Sequence, residues 1–297
     1  MKMQPASSIT SALSKANPLF SVEFFPPKDD AGGQRMLDTA EAIQPYQPDF
    51  VSITYGAGGG TRETTMRYAR ALQDDYGFEV MPHLTCVGHT VNELLEILED
   101  FAKAGFRNVM ALRGDPPKGE KVFQAVEGGL SYGSDLVALI RENFPDFGIG
   151  VGGYPEKHPE ATDASTDLAN LKTKIDAGAD FITTQLFFDN QVYFDFVSAC
   201  RQTGISIPVL PGLLPVLSLG QVRRFCSMCE ASLPTVLETQ LEETEDNEQP
   251  LVGSNWASGQ IRELLEGGAP GYHIYALNKP QSTLQILESL GIEKAVA

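Results

Sequence analysis

Eight short apolar segments, separated by stretches of helical periodicity, are the feature that most constrains the fold of this chain. Alternating strand and helix patterns predict a parallel sheet. Eight strand–helix units within about 250 residues fit a (β/α)8 TIM barrel, which is the α/β fold that we expect. The segments cover residues 20–25, 50–55, 80–86, 109–115, 149–155, 181–188, 208–215 and 272–278.

A single barrel accounts for nearly all of the 297 residues, so we expect one catalytic domain over residues 1–297. Residues 1–17 are rich in Ser and Ala, and we expect them to form a flexible or helical N-terminal arm. The periodicity predicts helices over residues 34–44, 62–76, 91–104, 134–143, 164–177, 191–203, 218–231, 255–266 and 281–290.

Polar side chains stand at the carboxyl ends of the predicted strands. Barrel enzymes carry their reactive groups at this end, on several strands at once. The chain is therefore predicted to be an enzyme. The polar residues at these ends are Glu23, Thr54, His83, Arg113, Asp115, Tyr154, Gln185 and Asn278.

Charge and composition exclude several other classes of protein. A net charge of −17 argues against nucleic-acid binding, which requires a basic surface. No apolar run is long enough to span a membrane, and the N-terminus lacks the apolar core of a signal peptide, so we expect a cytoplasmic protein. The acidic segment 238–248 is interpreted as a solvated loop or helix face.

The cysteines and histidines do not form a metal-binding pattern. Cys226 and Cys229 form one C-x-x-C on a predicted helix, and neither a thioredoxin-like context nor two further ligands accompany them. We interpret them as ordinary buried or half-buried thiols. No HExxH motif occurs among the four histidines, and no metal is expected.

Glu23 lies within an apolar strand, and two interpretations of it stay open. Desolvation raises the pKa of a buried carboxyl, which suits a general acid near neutral pH. The alternative is an ion pair with an Arg or Lys inside the barrel mouth.

Two further motifs combine charge with glycine. Arg113, Gly114 and Asp115 form either a turn with a local salt bridge or a site where glycine lets a planar ligand approach. The run 56–60 resembles a dinucleotide fingerprint, but Thr61 replaces its last glycine, so a mobile barrel loop is the better interpretation.

Other polar residues also carry two interpretations each. Gln185 lies in an apolar strand and is either a member of a core network or a ligand contact. Asp167, Asn170 and Lys174 fall on one helix face, where they suit a ribose and a phosphate or form a solvated pair.

Together these residues resemble the catalytic barrel of the methylenetetrahydrofolate reductase family. The resemblance runs from residue 20 to about residue 290, as in a short bacterial member without a following regulatory domain. VEFFPP combined with LRGDPP and TTQLFFD is its most specific part. The matching segments are VEFFPP, VSITYGAGGGTR, PHLTC, LRGDPP, YPEKHPEA, DLANLKTKIDAGADFITTQLFFD, PGLLPV and HIYALN.

The resemblance implies a flavoprotein that binds FAD noncovalently and takes electrons from NADH or NADPH. Such an enzyme reduces 5,10-methylenetetrahydrofolate to 5-methyltetrahydrofolate by ping-pong hydride transfer and supplies methyl groups for methionine synthesis. It implies that Glu23 is the general acid that helps to open the folate's five-membered ring. It implies that Asp115 lies near the flavin and favours the cationic iminium intermediate, as expected of a fixed anion in a poorly hydrated site.

The resemblance also implies a set of binding residues. Gln185, Gln221, Phe225 and Lys279 are the implied substrate contacts, with Phe225 placed to stack on nicotinamide or folate. Lys279 stands where Arg is expected, and Thr173 stands where some relatives have a second basic residue; both changes weaken the expected anion contacts. The implied FAD contacts are Thr54, His83, Arg113, Gly114, Asp115, Tyr132, Gly152, Tyr154, His158, Asp167, Asn170 and Lys174.

Two alternatives remain beside this reductase. One is another flavin-dependent TIM-barrel oxidoreductase of the proline dehydrogenase type, which a different reducing substrate would reveal. The other is a non-catalytic barrel used as a scaffold, which would not bind FAD. We expect small-molecule partners and a homo-oligomer.

Overall fold

The computed structural model describes residues 9–13, 17–55, 62–116, 119–120 and 122–295. Its strands are all parallel, and each pairs with the next in the chain except at one break within the seventh barrel strand; the first pairs with the last. The predicted (β/α)8 barrel is therefore confirmed. The strands are β1 Leu19–Phe24, β2 Phe50–Ile53, β3 Val80–Thr85, β4 Asn108–Leu112, β5 Gly148–Gly153, β6 Phe181–Thr184, β7 Val209–Leu210, β8 Gly212–Leu213 and β9 Gly271–Tyr275.

β7 and β8 are two halves of the seventh barrel strand, interrupted by Pro211. β7 pairs with β6, and β8 pairs with β9, so the ring closes across the proline. Proline has no N–H to donate to a ladder. Its carbonyl still accepts the His273 N–H at 2.9 Å, and the Gly212 N–H donates to Thr184 Oγ1 at 2.9 Å.

Helices follow the strands on the outside of the barrel, close to where periodicity predicts them. Two predicted starts are wrong: the second helix begins at Asp30 rather than residue 34, and the tenth at Gln249 rather than residue 255. The described helices are α1 Ile9–Leu13, α2 Asp30–Ile43, α3 Arg62–Asp74, α4 Val91–Ala104, α5 Gly133–Asn143, α6 Ala164–Asp176, α7 Asn190–Gln202, α8 Leu219–Cys229, α9 Thr235–Glu242, α10 Gln249–Glu266 and α11 Pro280–Ser289.

Local capping explains why these helices start where they do. Asp29 accepts the Gly32 N–H at 2.6 Å, so α2 begins before the two glycines that weaken its pattern. Thr90 and Glu93 form a capping box at the start of α4. Gly105 ends α4 with a φ of 93°, a left-handed conformation that favours glycine.

The acidic segment 238–248 lies mainly on α9 and on the turn that leads into α10. Glu238 and Glu242 on α9 each accept a hydrogen bond from the Arg223 guanidinium on α8, at 2.8 and 2.6 Å. The sequence predicts no separate helix at α9. The interpretation of the segment as a helix face fits the structure, although this face is partly paired.

The lower half of the barrel interior, toward the amino ends of the strands, is apolar. Side chains alternate along each strand, so every second residue points inward. The short helix α1 packs beneath this layer through Ile9, Ala12 and Leu13. The inward residues of the lower half are Leu19, Phe50, Met81, Met110, Phe181 and Leu210.

The upper half of the interior, toward the carboxyl ends, is polar. Continuing inward along the same strands leads to buried hydroxyl, imidazole and carboxyl groups instead of apolar ones. A second apolar core fills the space between the sheet and the helices, so the polar groups are enclosed on all sides except at the mouth. The buried polar residues that follow the lower layer are Ser21, Glu23, Ser52, His83, Thr183 and His273.

Among the residues that the structure describes, no helix is both long and apolar enough to cross a bilayer.

Candidate active site

Glu23, at the carboxyl end of β1, is the centre of the polar layer and is only 6% exposed. Its Oε2 accepts a hydrogen bond from Ser52 Oγ at 3.1 Å. The same oxygen lies 3.4 Å from His273 Nε2 and 3.3 Å from His83 Nε2. The His83 contact lacks hydrogen-bond orientation, so its Nε2 is buried without a directed partner. One carboxylate therefore gathers side chains from three neighbouring strands.

The expectation of a raised pKa at Glu23 is wrong. Burial does raise it, but the hydrogen bond from His273, the charge of His83 and further contacts with both rings outweigh burial and lower the pKa to about 2. The alternative of an Arg or Lys partner is also wrong, because the partners are histidines. Glu23 is thus an ionised carboxylate near neutral pH, buried between two imidazole rings.

His273 continues this network to Ser21 on the far side of its ring. His273 Nδ1 lies 2.8 Å from Ser21 Oγ, which in turn donates to the Tyr272 carbonyl at 3.3 Å. Which group donates in the Ser21–His273 contact depends on the tautomer of the ring. A ring protonated on Nε2 accepts the Ser21 proton at Nδ1 and donates to the Glu23 carboxylate. The ring therefore connects Ser21 to Glu23.

Sequence reasoning missed Ser21, Ser52 and His273. A signal was present for Ser21, which precedes Glu23 by two residues and so shares its inward face. The other two become neighbours only through strand register, in which Ser52 lies opposite Glu23 and His273 lies opposite Ser21. No pattern in a single sequence sets that register.

Asn278, predicted at a reactive strand end, instead joins two backbone segments. Its side chain accepts the Phe25 N–H at 3.0 Å and donates to the Phe25 carbonyl at 2.7 Å. Leu277 and Asn278 both have positive φ, at 52° and 53°, which costs energy in non-glycine residues. This strained turn fastens the end of β9 to the loop that follows β1.

The Arg113–Asp115 turn does not contain the local salt bridge considered above. Arg113 forms a bidentate pair with Glu160, at 2.6 and 2.7 Å, and lies 5.1 Å over the Phe123 ring. Asp115 is exposed at the mouth. Gly114 has a φ of 89°, and a Cβ there would lie 3.0 Å from the Thr85 Cβ. Glycine is therefore required for this close approach.

The loop after β5 and helix α6 bring four of the predicted cofactor residues together. The rings of Tyr154 and His158 meet edge to face at 4.5 Å, and Asp167 accepts the His158 N–H at 3.1 Å. Burial, and secondarily the charge of Asp115, raises the pKa of Tyr154. Lys174 Nζ donates to the Gly152 carbonyl at 2.6 Å.

Lys174 is not the solvated helix residue of the alternative interpretation. The residue as a whole is partly exposed, yet burial lowers the pKa of its amine to about 8, with the charge of Asp167 opposing the change. A buried ammonium with one neutral carbonyl as acceptor is poorly compensated. The site is suited to an anionic ligand, whose charge would neutralise the Lys174 ammonium.

Helix α8 brings Gln221 and Phe225 to the mouth, because it packs on residues that follow β6, β8 and β9. Gln221 is used locally here: its Oε1 accepts the Leu217 N–H at 2.9 Å, while Ser218 Oγ accepts the Gln221 N–H. Phe225 is partly buried, with the Arg224 guanidinium 5.6 Å over its ring.

Within the described part of the chain, the remaining predicted residues make few or no contacts with the other site residues. Gln185 is partly buried, and its Oε1 accepts the Leu186 N–H at 2.9 Å. Thr54 is partly buried at the end of β2, while Tyr132 is 65% exposed at the start of α5. Asn170 and Lys279 are exposed. The glycine run 56–60, Thr61 and Pro117 lie outside the described residues.

Two other features of the structure lie apart from this mouth. A cavity of about 980 Å³ lies between α7, α9 and α10, and its lining residues include Trp256, Asn190 and Glu263. It contains none of the predicted site residues. Within the described ranges no group of three or more His, Cys, Asp or Glu could hold a metal ion. Cys226 is buried and Cys229 half-buried, as the sequence predicts.

Comparison with known proteins gives one family. The family model described as methylenetetrahydrofolate reductase matches residues 8–291. The 5,10-methylenetetrahydrofolate reductase of Escherichia coli (strain K12) is 38% identical over 274 residues, covering 92% of this chain and 90% of that protein.

Longer relatives match as well. Methylenetetrahydrofolate reductase (NADH) 1 of Arabidopsis thaliana is 38% identical over 302 residues, covering 98% of this chain and 51% of that protein. The chain thus spans about half the length of the plant relatives. An uncharacterised protein from Clostridium thermocellum, solved with two copies of 5-methyl-5,6,7,8-tetrahydrofolic acid, superposes with a TM-score of 0.65 at 18% identity, covering 96% of this chain and 98% of that chain. That likeness shows the shared fold.

Proposed function

The chain belongs to the methylenetetrahydrofolate reductase family, and on this premise we propose that it reduces 5,10-methylenetetrahydrofolate to 5-methyltetrahydrofolate. The proposal includes FAD as cofactor, a reduced nicotinamide as electron donor, and a role in supplying methyl groups for methionine synthesis. The observation that carries it is the buried chain of Glu23, His273 and Ser21 at the mouth, which can deliver a proton where the folate ring opens.

The residues at the mouth fit FAD on two structural grounds. Lys174 presents a poorly compensated buried ammonium, which a diphosphate would neutralise. His83 Nε2, Thr85 Oγ1 and Thr183 Oγ1 are buried polar atoms without hydrogen-bond partners, as expected where a polar ligand supplies them. Their neighbours Arg113, Tyr154, His158 and Asp167 are proposed to complete the site.

When bound, FAD supplies a two-electron carrier between the nicotinamide and the folate. The protein's own contribution is proton transfer. We propose that Glu23 and His273 act as one acid, because the low pKa of Glu23 leaves the carboxylate without the proton at rest. In the protonated pair, His273 Nε2 passes its proton to Glu23, and Glu23 gives it to the ring-opening nitrogen of the folate as that nitrogen becomes basic, which leaves His273 neutral. Ser21 keeps His273 oriented throughout.

Asp115 and Gln185 are proposed to act on the folate itself. Asp115 holds a negative charge at the mouth, and a fixed anion favours a cationic iminium form of the folate. Gln185 lies at the end of β6, next to the Glu23 layer, and its amide can contact the polar edge of the pterin. Lys279 is exposed at the start of α11, and its ammonium suits the carboxylates of the folate tail without the bidentate geometry of Arg.

The described barrel offers a single polar mouth, so we propose that nicotinamide and folate occupy it in turn. Each substrate then leaves as product before the other binds, which is a ping-pong mechanism. Phe225 on α8 is the proposed stacking surface for both ligands, since a flat aromatic ring accepts either. The plant relatives carry NADH in their names, and NADH is accordingly the donor that we propose first.

The test uses the purified protein reconstituted with FAD. We expect a flavin absorbance band, its bleaching by NADH, and its recovery on addition of 5,10-methylenetetrahydrofolate. Initial-rate plots should give parallel double-reciprocal lines, and intersecting lines would overturn the shared mouth. Bleaching by proline instead of NADH would favour the proline dehydrogenase type, and failure to bind FAD would favour a scaffold.

A further inference from the structure

The loop after β5 and the loop after α8 are joined at the barrel mouth by hydrogen bonds between the Glu156 carboxylate and Ser232. Glu156, in the loop after β5, accepts the Ser232 N–H at 2.8 Å through one oxygen and the Ser232 hydroxyl at 2.5 Å through the other. Ser232 lies three residues after α8 ends. Charge-assisted hydrogen bonds of this kind are shorter and stronger than neutral ones. We call this contact, with the ion pair described next, the α8 clasp.

A second contact runs beside the first. Lys157 Nζ lies 3.6 Å from Glu230 Oε2. The same ammonium donates to the carbonyls of His158, Pro159 and Ala161 at 3.0, 3.4 and 2.9 Å. These three bonds hold the lysine in place before the glutamate approaches. The β5 side of the clasp is therefore preorganised.

The α8 side of the clasp is a sharp turn. Glu230 ends the helix in the left-handed region, with a φ of 52°, and the Ala231 N–H returns to the Cys226 carbonyl at 3.0 Å. A non-glycine residue in this conformation persists only where the surroundings determine it. The turn directs Glu230 and Ser232 toward the loop after β5, and the clasp supplies the contacts that hold it there.

The rest of α8 is fastened on the opposite side. Arg223 donates to Glu238 and Glu242 of α9, so this connection runs away from the β5 loop. Phe225 and Cys229 pack with the residues that follow the strand ends. Cys229, the last residue of α8, shares this cluster with Tyr275 at the end of β9, so the end of α8 lies close to the mouth. The clasp thus connects the helix to the cofactor side of the mouth.

We propose that the α8 clasp positions Phe225 and the end of α8 over the mouth. Glu156 and Ser232 are positioning residues in this proposal, because they act through the helix. It rests on the proposed function for the identity of the ligands. Both substrates are affected, since both are proposed to use Phe225.

The test compares Ser232→Ala and Glu156→Gln with wild type in the FAD-reconstituted enzyme. Each variant should raise KM for NADH and for the folate by about three- to tenfold while kcat stays within about twofold, as loss of one exposed charge-assisted bond allows. The double variant should resemble either single variant, because the two residues form one contact. Ser232→Thr keeps the hydroxyl and should restore wild-type KM.

The matched control is Ser289→Ala. Ser289 also binds a charged group through its hydroxyl, the Arg262 guanidinium at 2.6 Å, but it joins α10 to α11. This variant should leave both KM values unchanged. A similar rise in KM in the control would show a general loss of packing and overturn the proposal.

Amide hydrogen exchange tests the clasp without any substrate. Exchange should quicken at residues 226–233 in Ser232→Ala and Glu156→Gln, and stay as in wild type in Ser289→Ala. Unchanged exchange in both clasp variants, or additive effects in the double variant, would overturn the clasp. If wild type lacks reductase activity, the proposed function fails, while the exchange result still decides whether the clasp holds α8.

Discussion

The lower and upper halves of the barrel interior are built from successive inward-facing residues of the same strands, and yet they differ in polarity and in how their side chains interact. Leu19 and Phe50 in the lower half belong to a dry apolar layer that α1 closes from beneath. Glu23 and Ser52, further along the same two strands, belong to a hydrogen-bonded layer that includes His273. The lower layer can be described by volume and burial, and the upper layer only by donors, acceptors and charge.

This difference shows how a barrel separates stability from chemistry. Apolar burial is non-directional, so the lower layer stabilises the ring without imposing a particular geometry. The upper layer is directional: His273 satisfies Ser21 with one nitrogen and faces Glu23 with the other. Its enclosure among apolar neighbours makes each contact stronger and each unpaired atom more costly. Substitutions in the lower half should therefore reduce stability, and substitutions in the upper half should reduce activity.

The largest effect is expected from Glu23→Gln. Glutamine keeps the shape but cannot deliver a proton, so folate reduction should fall by about 10²- to 10⁴-fold. Reduction of bound flavin by NADH should survive largely intact, because that step needs no acid. Stopped-flow measurement of the two half-reactions separates these outcomes.

Glu79→Gln is the matched control from the other end of the barrel. Glu79 is also partly buried and accepts a hydrogen bond, from Asn108 Nδ2 at 2.7 Å, but it precedes β3 at the amino end of the strand. Both half-reactions should proceed at wild-type rates. Equal loss of both half-reactions in Glu23→Gln would refute the acid assignment.

Phe181→Ala should produce the opposite pattern. Phe181 is fully buried in the lower layer, in edge contact with Phe50 at 6.5 Å between ring centroids. Removing its ring should cost about 3 to 5 kcal/mol of unfolding free energy, through lost burial and a residual cavity. Urea denaturation measures this loss. Activity per folded molecule should be unchanged, and a loss beyond the unfolded fraction would show that the two halves are coupled.

The two halves also differ in how far the sequence predicts them. Short apolar segments between helical stretches predict the strands, and the catalytic interpretation of Glu23 follows from its place at a strand end. The partners of Glu23 could not be predicted, since His273 and Ser52 reach it through register between segments distant in sequence. The predicted rise in the pKa of Glu23 was wrong for the same reason. The sequence indicated that Glu23 is buried, but not that two imidazoles lie beside it.

Lys174 shows the same limit at another place. Its spacing from Asp167 predicts a shared helix face, and α6 confirms the helix. Its burial against Gly152 depends on how α6 packs on β5, which no local pattern records. The resemblance to a known family supplied roles for residues such as Asn170 and Tyr132, and the structure leaves those roles as predictions. Sequence thus located the mouth, and packing determined the electrostatics inside it.

Lys174→Met should separate binding from stability within the upper half. The pKa of Lys174 falls from 10.5 to about 8, so its charge is disfavoured in the folded state. Replacing it with an apolar side chain should stabilise the FAD-free protein by about 1 to 2 kcal/mol near pH 7. FAD affinity should fall at the same time. Urea denaturation and flavin titration measure the two effects.

The pH dependence of this gain has a definite sign. Between pH 8 and 10.5 the unfolded chain binds the lysine proton more tightly than the folded protein, so wild-type stability rises with pH there. The advantage of Lys174→Met should therefore be fully present below pH 8 and be lost by about pH 10.5. An advantage that stays constant across this window would mean that the amine is not buried as a cation.

The smallest effect is expected from Ser21→Ala, at the boundary between the two halves. Ser21 lies opposite Phe50 of the lower layer in strand register, and its hydroxyl contacts His273 of the upper layer at 2.8 Å. Losing this bond should cost about 1 kcal/mol, or about fivefold in the folate half-reaction, and should leave flavin reduction unchanged. The two half-reactions measured separately by stopped flow decide the outcome. An equal loss in both half-reactions would mean that Ser21 only fills space, and the boundary between packing and chemistry would then lie above it rather than at it.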